Sequence, residues 1–133
     1  MDPIANTFAQ IKNAINASHK EVTVSYSKMK LAILAAFKKQ GLIESYEEVK
    51  VEDQKYPAGI KIVLKFKESN KESVIRNIKR VSRPGRRVYV TATKIQSLKR
   101  GRAEVIISTS SGVMAGAEAQ KKGLGGEVIC EVE

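Results

Sequence analysis

Residues 106–127 read IISTSSGVMAGAEAQKKGLGGE. With Val105, the pair Ile106-Ile107 forms a branched apolar run, the pattern of a buried strand. The run ends in four consecutive hydroxyl residues, Ser108, Thr109, Ser110 and Ser111, and then Gly112. The alanine-rich stretch 113–122 predicts a helix closed by Gly123. Leu124-Gly125-Gly126-Glu127 leads into a last strand. This layout sets small donors and acceptors at a strand end, beside two glycines that let another backbone approach closely. Taken alone, the segment fits two readings equally: a surface for a polar, shaped partner, or a serine-rich turn.

Charge adds a second, separate signal. The chain has 133 residues and a formal net charge of +10. Residues 71–102 hold eleven Lys/Arg and a single acid, Glu72, so this stretch alone accounts for +10 and the remainder is neutral. Charge concentrated in this way is the footprint of a polyanion-binding surface. No strongly amphipathic basic helix accompanies it, which disfavours acidic lipid.

Composition excludes other classes. A hydrophobic fraction of 42% suits a globular protein, and no apolar run approaches the roughly 20 residues that span a bilayer. The first residues lack the basic, apolar, small-residue pattern of an export signal. The single cysteine, Cys130, can form neither an internal disulfide nor, alone, a zinc site. A reducing cytoplasm is the expected compartment, with no metal and no cofactor.

Along the chain, Asp2-Pro3 opens a helix, and Ile4, Phe8, Ile11 and Ile15 recur at helical spacing to about residue 17. Val22–Tyr26 alternates as a short strand. Ser27 is placed to cap a second helix with Leu31, Leu34, Ala35 and Phe37 inward, Lys28, Lys30, Lys38 and Lys39 outward, and Gly41 as its stop. Residues 42–51 predict a strand, 56–59 a turn, and Ile60, Ile62, Leu64 and Phe66 the buried side of another strand. Glu68-Ser69-Asn70-Lys71 is polar and marks a lobe boundary.

The second lobe reads as mainly β. Its strands are expected at 74–81, 87–91, 103–108 and 127–132, with a single helical turn capped by Thr93. The fold class is therefore α+β, in two small lobes. Residues 1–67 form helix-strand-helix-strand-strand, residues 68–71 connect, and residues 72–133 form a mainly β lobe with one or two short helices.

Arg83, Arg86 and Arg87 bracket Pro84-Gly85, a turn that restrains guanidinium groups able to grip phosphate bidentately. Tyr89 shares a face with Arg87, where a phenol can stack on an unpaired base or hydrogen-bond a ribose hydroxyl, or simply be an ordinary residue of an amphipathic strand. Hydroxyl groups suit RNA over DNA because they both donate to and accept from a ribose 2′-hydroxyl. A helix over 113–122 would also aim its free amides at phosphate. Glu127 can accept from base amino groups or position a neighbour, and a plain strand-end carboxylate is nearly as good a reading. Aromatic content of 5% argues against a broad stacking platform. Catalysis has little support: His19 is the only histidine and no nucleophile elbow surrounds the serines.

Three blocks carry a family resemblance. STSSGVM followed by KKGLGGEVIC resembles the C-terminal signature of the bacterial-type family of the eighth protein of the small ribosomal subunit. RVSRPGRRVY at 80–89 resembles its central signature, and DPIANTFAQIKNAINA its first helix. The blocks keep the family's order and cover essentially the whole chain. The resemblance implies a non-enzymatic constituent of the small ribosomal subunit. It also implies primary binding to the central domain of small-subunit ribosomal RNA during assembly, mainly through the C-terminal lobe. It points to Ser108, Thr109, Ser110, Tyr89, Arg87, Gly125, Gly126 and Glu127. Ser111, Arg83 and Arg86 stand beside them, and Lys28, Lys30 and Lys55 are weaker contacts from the first lobe. Neighbouring small-subunit ribosomal proteins are the implied partners, with no membrane and no small-molecule substrate. The compartment becomes the ribosome of the cytoplasm or of an organelle of bacterial descent.

The chain departs from the family pattern in four places. Ser111 stands where many relatives have lysine. Ala115-Gly116-Ala117 replaces a polar helix start, and Glu131 replaces a frequent aromatic. Lys99-Arg100-Gly101-Arg102 is unusually basic. The competing functions are a general nucleic-acid regulator using the basic segment alone, and a small enzyme holding a phosphorylated substrate.

Overall fold

A computed structural model describes residues 2–50, 52–53, 55, 57–69, 71–98 and 103–133. The fold is α+β. The chain divides into two compact units, one of Pro3–Ile75 and one of Arg76–Glu133 with Asp2. The division falls after Ile75, not at 68–71. Backbone bonds from Lys71 to Lys67, from Lys67 to Glu72 and from Val74 to Lys65 fold residues 71–74 back onto the first unit.

The first unit contains α1 (Pro3–Asn16), β1 (Glu21–Ser25), α2 (Lys28–Lys39), β2 (Ile43–Val49) and β3 (Gly59–Leu64). The strands form an antiparallel sheet in the order β1-β3-β2. Helix α1 buries Thr7, Phe8, Ile11 and Ala14, so its apolar stripe lies slightly to one side of the Ile4 and Ile15 positions. Phe8 and Phe37 stack with ring centroids 6.1 Å apart. Ser27 caps α2, its hydroxyl accepting from Lys30 N at 3.1 Å. Gly41 ends that helix with φ +74°.

Two assignments on α2 are corrected. Ile33 and Ala36 face inward, while Ala35 is exposed. Lys30 is not on the outer surface but only 5% exposed. Its Nζ donates to Ser25 Oγ at 2.7 Å and to the Ser25 carbonyl at 3.3 Å. The stem runs along the helix foot and the ammonium is spent on the end of β1, so Lys30 is withdrawn from the surface cations. Burial lowers its pKa from the ordinary lysine value.

Strand β3 ends at Leu64, two residues before the expected Phe66, which instead pairs with Ser73 in a single bridge.

The second unit contains β4 (Ile78–Arg80), β5 (Tyr89–Val90), α3 (Ile95–Leu98), β6 (Glu104–Thr109), β7 (Gly112–Ala115), α4 (Gly116–Lys121) and β8 (Gly126–Val132). The sheet runs β4-β8-β6-β7, with β5 also paired to β8. One face packs on α3 and α4 through a core of Ile95, Val105, Ile107, Met114, Ala119 and Val128. A bulge shifts register on β8: Ile106 pairs with Cys130, but Ile107 pairs with Val128, leaving Ile129 as the extra residue. Across the bulge Cys130 and Val128 turn to opposite faces. Cys130 is fully buried, and burial pushes its thiol pKa upward.

Three sequence expectations change here. The strand foreseen at 74–81 shrinks to three residues, because Arg76 and Asn77 donate to the Glu133 carbonyl instead of a strand partner. The helical turn begins one residue before Thr93: a 3-10 turn over Ala92–Lys94 has Thr91 at its N-cap position. The helix foreseen at 113–122 starts only at Gly116, since residues 112–115 pair with β6 as β7. Val113 and Met114 belong to an alternating strand, whose period overrides the helical bias of the alanines after them.

Candidate nucleic-acid interface

The hairpin between β6 and β7 sets the hydroxyl cluster. Ladder pairs join Ser108 to Val113 and Thr109 to Gly112, leaving Ser110 and Ser111 as a two-residue loop. Gly112 has φ +111°, a conformation that side chains disfavour. The Thr109 hydroxyl is spent on the turn: it donates to the Gly112 carbonyl at 2.7 Å and accepts from Ser111 N at 3.1 Å. Ser110 and Ser111 are exposed at the tip. The cluster therefore precedes a strand, and the phosphate-binding helix terminus expected beside it is absent. What stands there is a rigid tip of two serines closed by a threonine.

Register then gathers the other residues. Tyr89 pairs with Glu127, Glu127 with Ser108, and Ser108 with Val113. Directly opposed residues share a face. At roughly 4.8 Å per strand the row Tyr89-Glu127-Ser108-Val113 spans about 14 Å. It lies on the face turned away from α3 and α4, with the opposite row Ile107-Val128-Met114 in the core. Tyr89 is 70% exposed, the one large hydrophobic side chain of this unit exposed among the described residues. Arg87 flanks the row and donates from Nη1 to Glu127 Oε2 at 3.0 Å.

The arginine loop is closed at its base by a residue that sequence reading passed over. Ser82 is fully buried. Its hydroxyl accepts from Val88 N at 2.8 Å and donates to the Val88 carbonyl at 3.2 Å. Its amide donates to Val128, and Val128 donates in turn to Val88. The loop tip is tied by two bonds between the Arg83 and Arg86 backbones, each 2.9 Å. Arg83, Pro84, Gly85, Arg86 and Arg87 are all exposed on this braced loop. A small polar residue between Val81 and the arginines was the only signal for Ser82.

The paired glycines are explained from within. A Cβ on Gly125 would collide with the Val90 carbonyl oxygen, and one on Gly126 with that of Ser108. The backbone that approaches closely is the protein's own, where β8 is squeezed between β5 and β6. The two glycines let β8 pack against β5 and β6 and so hold the row in register.

Arg80 also leaves the free cations. It pairs with Asp2 at 3.0 Å, with only 8% and 17% of the two side chains exposed, and donates to the Ile129 carbonyl at 2.9 Å. Lys28 and Lys55 are exposed residues of the other unit. Lys99, Arg100 and Arg102 lie outside the described residues. Among the described residues no cluster of His, Cys, Asp and Glu could hold a metal, and no helix is long and apolar enough to cross a membrane.

Comparison with known proteins identifies the family. The family model for ribosomal protein S8 matches residues 2–132. The chain belongs to the ribosomal protein S8 family. Its relatives include the small ribosomal subunit protein uS8 of Nitratidesulfovibrio vulgaris, 47% identical over 98% of this chain and 97% of the relative. The protein of that name from Kosmotoga olearia is 44% identical over 98% and 97%. The one from Flavobacterium psychrophilum is also 44% identical over 98% and 97%. Family membership makes this chain a structural ribosomal protein and not an enzyme.

Proposed function

We propose that this chain is a primary binder of the central domain of small-subunit ribosomal RNA, acting in subunit assembly through its C-terminal unit. The observation that carries the reading is the row Tyr89-Glu127-Ser108, flanked by a braced arginine loop and a serine-tipped hairpin. The fold has no internal use for the exposed ring of Tyr89 or for the exposed serines of the tip. An aromatic face, hydroxyls and guanidinium groups on a rigid sheet match a folded RNA with a few unpaired bases. Arg83 and Arg86 grip backbone phosphate, Ser108, Ser110 and Ser111 meet ribose or base edges, and Tyr89 stacks. Thr109, Gly125 and Gly126 act by shaping the surface. Lys28 and Lys55 add backbone contacts from the first unit. Neighbouring small-subunit proteins complete the surroundings, in the cytoplasm or in an organelle of bacterial descent.

The test is binding of the purified chain to a central-domain fragment, an unrelated RNA hairpin and a DNA duplex across a salt series. Preference for the fragment at physiological salt, weakened by Ser110→Ala, supports the reading. Equal and steeply salt-sensitive binding to all three would leave only a general basic segment at work.

A further inference from the structure

A carboxylate in the middle of a basic, RNA-facing surface is a cost unless it does something there. Glu127 sits in the central row, held by ladder pairs to Tyr89 on one side and Ser108 on the other. Its side chain is 21% exposed and its partner Arg87 is 47% exposed. Arg83 and Arg86 lie on the same loop as Arg87 and, among the described residues, have no carboxylate partner. One arginine of three is therefore singled out and neutralised.

Neutralising an arginine removes its value as a phosphate clamp, because non-specific affinity scales with the counterions released. It does not remove its hydrogen bonds. Arg87 commits Nη1 to Glu127 Oε2 and keeps its other donors, while Glu127 keeps its second oxygen. The pair thus sets donors beside an acceptor on a half-desolvated sheet, next to the open ring of Tyr89. That pattern matches the edge of a base, where an acceptor adjoins an amino group, and it does not match a phosphate.

We propose that Glu127 is a positioning residue that cancels and aims Arg87, so that the pair reads an unpaired RNA base edge beside Tyr89 instead of adding one more phosphate contact. The inference rests on the RNA-binding reading above and goes further, dividing the arginines into phosphate grips (Arg83, Arg86) and a base reader (Arg87).

The experiment compares wild type, Glu127→Gln, Glu127→Asp and the double variant Arg87→Gln/Glu127→Gln. Each is measured on the central-domain fragment and on the unrelated hairpin over a salt series, with melting curves to check the fold. Freeing Arg87 adds about one phosphate contact, which steepens the log–log salt slope on the unrelated hairpin by about 0.7–0.9. The same contact makes Glu127→Gln bind that hairpin more tightly than wild type, with a gain that shifts by roughly threefold between 50 and 200 mM salt. The preference for the central-domain fragment falls by more than that factor. Glu127→Asp keeps the wild-type slope, and the double variant returns to it. Should Glu127→Gln not fold, Arg87→Gln alone carries the test. A cancelled arginine leaves the slope on the unrelated hairpin in place, whereas a phosphate-gripping one flattens it by the same 0.7–0.9. Loss of affinity for both RNAs in equal proportion with unchanged slopes would overturn the proposal and leave Glu127 a structural residue. A wild type with no preference for the fragment would overturn the RNA-site reading itself, and this inference with it.

Discussion

Each unit builds an antiparallel sheet with an exposed polar row, and the two rows are finished differently. On the first sheet, Lys61 lies between Glu21 and Glu47, 3.3 Å and 3.7 Å away on the flanking strands. Charges there answer one another across the strands, and such a row serves as a solvent face. On the second sheet, the row Tyr89-Glu127-Ser108 leaves a ring 70% exposed, and the loop beside it presents Arg83 and Arg86 to solvent. The difference teaches that polarity alone does not mark an interface. The marker is a rigid group whose bonding capacity the fold leaves unused.

The strongest way to break the comparison is to destroy the register of the second row. Gly126→Ala drives a methyl into the Ser108 carbonyl, so β6 and β8 must part. Overpacking of this kind costs about 2–3 kcal/mol, seen as a lowered denaturant midpoint, and RNA binding falls with it because Tyr89, Glu127 and Ser108 lose their alignment. A variant that melts like wild type would show that the strands have room to spare.

Removing single groups from the two open faces sharpens the contrast. Tyr89→Ala deletes a side chain that supports little packing, so stability stays within about 0.5 kcal/mol. Binding to the central-domain fragment weakens by about 1–3 kcal/mol if a base stacks on the ring. Lys61→Gln on the first sheet does the reverse: its ion pairs are worth at most about 1 kcal/mol of stability, and the preference for the fragment over an unrelated hairpin is retained. Thermal melts and titrations on the same samples separate the two. Equal binding losses from both substitutions would mean that the faces are alike after all.

Much of this was legible in the sequence, and the failures have a common cause. Local signals read correctly: Ser27 as a cap, Gly41 as a stop, Pro84-Gly85 as a turn and Cys130 as a buried apolar residue. Alternation put Tyr89 and Arg87 on one face. What escaped was whatever depends on how elements pack and pair. Lys30 looks like an outward cation until the end of β1 is brought beneath it. Arg80 looks like part of the basic footprint until Asp2 meets it, 78 residues away in sequence. Residues 113–115 look helical until β6 offers them a ladder. The glycine pair was read as room for a partner, whereas the strands that crowd it are β5 and β6. Tertiary contacts and strand pairing re-assigned each of these groups, some across five residues and some across 78, and propensity and periodicity alone do not carry that information.

The smallest expected effect contrasts the two units by their buried titratable groups. Burial favours the uncharged form of both Lys30 and Cys130, but the uncharged form is deprotonated for one and protonated for the other. The folded chain therefore binds the Lys30 proton less tightly than the unfolded chain does. The cost of that buried charge is present at neutral pH and is relieved as pH rises towards the ordinary lysine value of 10.5. Cys130 has the opposite sign. Its folded pKa lies above the ordinary thiol value of 9.0, so the unfolded state gains from ionisation above that pH and stability falls as pH rises past it. Urea melts from pH 7 to 10.5 on wild type, Lys30→Met and Cys130→Ala separate the two. Relative to wild type, Lys30→Met loses stability as pH rises through the upper part of the range, and Cys130→Ala gains it above 9.0. The differences between the variants and wild type carry the test. If Lys30→Met followed the wild-type profile in parallel, the Lys30 ammonium would be reaching water, and the closed character assigned to the foot of α2 would have to be given up.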